Sequence, residues 1–170
     1  DGSNAAANDD FTITVTNTND APSNAGDTAT ASEDVAYAGW TAAGDWGYSD
    51  VDAGDSMTAI KIVTLPSQGT LTETNNACGG DGCAVDDVVA IARLAAGDLK
   101  YTGNSNYNGQ DTFTYQVYDG EAYSSTGTMT ITINAVNDAP VAGDTSDQTV
   151  YEDVAFSFQT TASTDVDGDT

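Results

Sequence analysis

An all-β chain folded as an antiparallel Greek-key sandwich is what this sequence predicts, and three observations predict it. Apolar residues alternate with polar ones at Phe113, Tyr115 and Val117, and again at Met129, Ile131 and Ile133. That period of two marks strands buried on one face. Small polar and turn-forming residues abound, with Asn108-Gly109 and Asp119-Gly120 as turn signals. Finally, the chain repeats itself with a period near 118 residues, a length that suits about seven short strands split by turns.

The repeat orders the elements. Residues 1–22 and 119–140 share nine of 22 positions at an offset of 118, and both end in Asn-Asp-Ala-Pro. Glu33-Asp34-Val35-Ala36 returns as Glu152-Asp153-Val154-Ala155, and Asp50-Val51-Asp52 as Asp165-Val166-Asp167. The expected organisation is the end of one repeat over 1–20, a complete repeat over 21–138 and the start of a third over 139–170, within something much longer. In the first fragment Phe11, Ile13 and Val15 alternate as a strand. Met57–Leu65 reads as a strand ended by Pro66, with Gly69–Thr72 as its hairpin return. Val88–Leu94 fits either a helical turn or a strand.

Charge narrows the function. With 27 Asp and Glu, 3 Lys and Arg and no His, the net charge is −24. Nucleic acid and anionic membrane surfaces are not expected partners, since both need basic patches. No apolar run approaches the roughly 20 residues that cross a bilayer. Without His, Ser-His-Asp and Cys-His catalysis are excluded, and neither a Gly-x-Ser-x-Gly elbow nor a phosphate-cradling loop is present. The chain does not read as an enzyme. Cys78 and Cys83, in Cys-Gly-Gly-Asp-Gly-Cys, are expected to form a disulfide worth about 2 kcal/mol, which implies an oxidising compartment. Two free thiols in a loop are the alternative.

The acids lie at element ends. Ca²⁺ takes six to eight hard oxygen ligands, and an Asp-x-Asp loop aims two carboxylates at one point. An Asn-Asp pair before Ala-Pro adds an amide oxygen and a third carboxylate on a stiff linker. Each Asp read singly is an ordinary turn residue, and an acidic surface also serves solubility; the recurrence at matched positions is what points to metal. Asp55 and Asp169, after Gly54 and Gly168, read as turn formers. Trp40, Trp46 and Tyr48 read either as core or as an aromatic platform for sugar.

The run of Asn-Asp-Ala-Pro, Glu-Asp and Asp-Val-Asp, then Tyr101-Thr102 and Asn106–Gly120, then Asn-Asp-Ala-Pro again resembles the bacterial cadherin-like tandem repeats of large secreted, RTX-type surface adhesins. The resemblance implies a cadherin/immunoglobulin-like sandwich at the bacterial cell surface, with Ca²⁺ held between modules. One junction would use Asn19, Asp20, Asp50, Asp52 and Asp119. The other would use Glu33, Asp111, Asn137, Asp138, Asp165 and Asp167. Cadherin linkers carry an Asp where this chain has Asn17 and Ala135, which implies fewer ions or weaker sites per junction. The Asp-Arg-Glu stretch is missing, and Asp111 stands in for it. The implied role is a Ca²⁺-stiffened spacer whose partners are adjacent repeats. The alternatives are a cell- or glycan-binding module and a filament or sheath subunit contacting other copies laterally.

Overall fold

A computed structural model describes residues 12–75, 78–79, 82–143, 147, 149–157 and 161–167. Among the described residues nine strands, a 3-10 turn (Ala43–Trp46, between β2 and β3) and one short α-helix follow in order: β1 (Ser23–Asn24), β2 (Asp27–Ser32), β3 (Tyr48–Ser49), β4 (Ala59–Thr64), β5 (Gly69–Glu73), β6 (Val88–Ala90), α1 (Ile91–Ala95), β7 (Leu99–Gly103), β8 (Gly109–Tyr118) and β9 (Gly127–Asn134).

One layer is a five-stranded sheet in the order β2-β9-β8-β4-β6. All its pairings are antiparallel except β2 on β9, which runs parallel with Asp27 opposite Met129. The other layer pairs β5 with β7. Tyr37 extends it through a bridge to Tyr101, with reciprocal amide bonds of 2.8 and 2.9 Å. The alternating residues of β8 and β9 point inward as expected, and Phe113, Tyr115, Val117, Met129 and Ile131 are fully buried. Burial of this kind contributes roughly 1.5–3 kcal/mol per large side chain.

The core is aromatic at its centre. Trp40 and Trp46 are buried and pack edge-on or tilted against Tyr37, Phe113 and Tyr115, with ring centroids 4.9–6.4 Å apart. The Tyr115 hydroxyl donates to the Trp46 carbonyl at 2.9 Å. These indoles are therefore core, and no sugar platform forms from them.

Two local expectations change. The stretch Val88–Leu94 is both things in turn, a strand and then a helical turn. Gly69–Thr72 does not return along β4; it crosses to the other layer and pairs with β7. The cause is Asp111, which captures the amides of Ser67 and Gln68, each at 2.9 Å, and turns the chain away. Cys78 and Cys83 form a disulfide, and the Cys83 amide donates to Leu71 at 2.8 Å, pinning the loop to the edge of β5.

Outside the sandwich, Ile13 and Val15 are exposed, and no strand forms at residues 12–20. An alternating segment becomes a strand only where a neighbour offers ladder partners, and none among the described residues does. Phe11 and Asp169 lie outside the described residues. No helix among the described residues is long and apolar enough to cross a membrane.

Candidate metal centres at the two linkers

The first linker is set by a close backbone approach. β1 pairs with β3, Ser23 opposite Ser49, and the turn after β1 passes tightly over β9. A Cβ on Gly26 would lie 2.6 Å from the Thr128 carbonyl, and Gly26 holds φ +75°. Only glycine fits there. This pairing delivers the Asp50–Asp55 loop, which follows β3, to the linker.

There the Asp20 amide donates to Asp52 Oδ2 at 2.7 Å, and the Asn17 amide group donates to Asp52 Oδ1 at 2.6 Å. Asp50 Oδ1 accepts from the Asp52 amide at 2.9 Å. Asn19 Nδ2 reaches Asp119 Oδ2 at 3.2 Å, while Asp119 Oδ1 holds the turn after β8 by accepting from Glu121 and Ala122. One oxygen from each of Asp50, Asp52 and Asp55 lies within 4.8 Å of the others. Five expected residues thus meet: Asn19, Asp20, Asp50, Asp52 and Asp119.

Electrostatics records the crowding. The Asp20 amide and the Asn17 side chain hold Asp52 below the usual carboxylate value, against burial and Asp119. Burial raises Asp119, yet the donors from Ala122, Glu121 and Asn19 bring it below normal. Among the described residues no such donor reaches the Asp55 carboxylate. Burial and the charges of Asp50, Asp52 and Asp119 push it up. The half-buried Tyr48 hydroxyl, bonded to Asp50 at 3.3 Å, is pushed up to about 12 by partial burial and the Asp50 charge. Asp55, which the sequence casts as a turn former, belongs to this cluster. The signal for it was there in its spacing, three residues beyond Asp52.

The second linker repeats the bonds from linker amide to Asp-x-Asp. The Asp138 amide donates to Asp167 Oδ2 at 2.5 Å, and the Asp167 amide to Asp165 Oδ1 at 2.9 Å. Asn137 and Asn19 each donate to the carbonyl of the following Asp. Val141 bridges Thr164 as Ser23 pairs with Ser49. Asp34 and Asp153, in the two Glu-Asp pairs, adopt the same left-handed φ of 61° and 63°.

Glu33 joins the second linker from the end of β2. It is 1% exposed. Its Oε1 accepts from the Val136 amide at 2.7 Å, whereas Oε2 is buried with no hydrogen-bond partner among the described residues. Asp138 Oδ2 is also buried and without one. Burial raises the Asp138 value, helped by Asp34, Asp167, Glu33 and Asp165. Asp111 is not among these neighbours. Both its oxygens accept from Ser67, Gln68, Thr112 and the Tyr101 hydroxyl, so the structure does not bring it into the linker cluster. It is an internal anchor, and the acid beside Glu33 is Asp34.

A buried carboxylate oxygen without a donor is costly, and in both clusters the groups converging are hard oxygens. Such donor sets suit Ca²⁺ and exclude soft metals. The cysteines near Asp87 offer no thiolate, being disulfide-bonded.

The profile of the family described as bacterial Ig domain matches residues 19–132. The chain belongs to the bacterial Ig domain family. The match spans β1 to β9 nearly end to end, and the two-layer fold is an Ig-like β-sandwich. Comparison with curated proteins and with solved structures returned no match. In this bacterial Ig domain two clusters of acids lie at the linkers that flank the sandwich.

Proposed function

We propose that this bacterial Ig domain is a non-catalytic spacer module of an extracellular, cadherin-like adhesin, in which Ca²⁺ at the linkers sets the angle between modules. The observation that carries the reading is the duplication of one bonding pattern: linker amide to Asp-x-Asp, at Asp20–Asp52 and at Asp138–Asp167. At the first linker, Asp50, Asp52, Asp55 and Asp119, with Asn19 and Asp20, would hold the ion. At the second, Glu33, Asp34, Asp138, Asp165 and Asp167 would do so.

The mechanism is electrostatic. Without a cation the converging carboxylates repel one another, and the linker is free to swing. A divalent ion shared between the linker and the module ends replaces that repulsion with attraction and fixes the angle. Extracellular Ca²⁺ modules work at Kd of about 10⁻⁴–10⁻³ M, so millimolar Ca²⁺ keeps such a rod extended. Small-angle scattering of two consecutive complete modules tests this. The maximum dimension should shrink and the flexibility rise on adding chelator; an unchanged profile would sink the reading.

A further inference from the structure

We propose that the outer face of the five-stranded sheet is a lateral docking surface for a second copy of this module. The inference does not rest on cation binding. Its starting point is where the charge is missing. The chain carries 27 acidic residues, yet the outward positions of β2, β9 and β8 hold none. They hold threonines in register across three strands: Thr28 opposite Thr130 opposite Thr112, and Thr30 opposite Thr132. Thr28, Thr30, Thr112 and Thr132 are exposed. On β4 the single charge is Lys61, whose ammonium lies 4.7 Å from the Tyr123 ring centroid.

Two physical arguments choose the occupant. Copies with net charge −24 repel unless they meet through a neutral face, and this is the widest such face of the sandwich. A threonine hydroxyl is both donor and acceptor. An array of such hydroxyls in register is therefore able to pair with its own copy under a two-fold axis, the usual symmetry of a dimer contact. A sugar is less well served: the Tyr123 ring is already stacked on Tyr118, at 4.4 Å between centroids, with Lys61 over it. Contacts between single modules are expected to be weak and to multiply along an array of modules.

Sedimentation equilibrium over a wide concentration range, in chelator, tests the proposal. Average mass should rise with concentration, and more so at high NaCl, which screens the acidic ends. Thr130→Asp should weaken association at least about tenfold, whereas Thr70→Asp, on the other layer, should not. Amide NMR shifts of the unaltered chain, followed with concentration, should move on β2, β8 and β9; this readout stands even if Thr130→Asp fails to fold. A chain monomeric throughout would overturn the proposal. So would equal loss in the two variants, or shifts confined to other strands. A monomer that binds neutral polysaccharide through this face would assign the face to glycan instead.

Discussion

The two linkers have the same Asn-Asp-Ala-Pro sequence and the same bonds from linker amide to Asp-x-Asp, yet different carboxylates are perturbed, Asp52, Asp119 and Asp55 at the first and Asp138 at the second. At the first, Asp52 receives two donors and is held low. At the second, Asp138 keeps an oxygen buried without a donor among four like charges and is pushed high. Pro22 is buried and Pro140 exposed. The motif encodes a local turn, and what surrounds the turn decides how its charge is carried. The first linker lies against the β3 and β8 ends of a complete sandwich, whereas the second meets Glu33 at the other end and a loop whose Asp167 is exposed.

The strongest way to break this contrast is to remove the footing of the first linker. Trp46→Ala empties a fully buried site below the β3 loop and should cost about 3–5 kcal/mol in a denaturant melt. Val154→Ala, in the exposed stretch beyond the second linker, should stay within about 0.5 kcal/mol. Next in size is Gly26→Ala, which puts a Cβ against the Thr128 carbonyl at positive φ. It should cost about 1–3 kcal/mol, and faster amide exchange at Tyr48 and Ser49 would show that the β1–β3 pairing had opened.

A smaller change sharpens the comparison by its sign. Glu33→Gln keeps the bond to the Val136 amide and removes the charge beside Asp138. In chelator the melting temperature should rise by a few degrees. In millimolar Ca²⁺ the order should reverse, because a ligand has gone. Parallel thermal melts check both halves.

Much of the fold was legible because burial on one side of a strand leaves a period of two, as in β8 and β9. What local pattern cannot say is which sheet a strand joins. Gly69–Thr72 looks like a hairpin return, and only the capture of Ser67 and Gln68 by Asp111 sends it across. The same limit governs the site. Asp111 and Asp55 are both acids beside turns. One has its oxygens filled from within the fold, and the other is left among like charges. Repetition located the linkers, since Asp-x-Asp returns at matched spacing, but Asp34 became visible only through its left-handed turn beside Glu33.

The smallest effect is on pH dependence. A raised carboxylate contributes stability below the ordinary value of 3.8 and loses it as pH rises through its raised one. A lowered carboxylate contributes above 3.8 and loses it as pH falls through its lowered one. In chelator the melting temperature should therefore climb modestly as pH drops from neutrality toward 3.8, through Asp55 and Asp138. It should then fall below 3.8, as Asp52 and Asp119 protonate. In Ca²⁺ the climb should vanish, because protons then compete with the ion.

Calorimetric titration of the chain with CaCl₂ is the most direct measurement. The account predicts saturable binding with Kd of about 10⁻⁴–10⁻³ M, weakened when Asp52 or Glu33 is made the amide. No heat, and no rise in melting temperature up to about a hundredfold excess over that Kd, where bound ion adds ~2.7 kcal/mol, would contradict it.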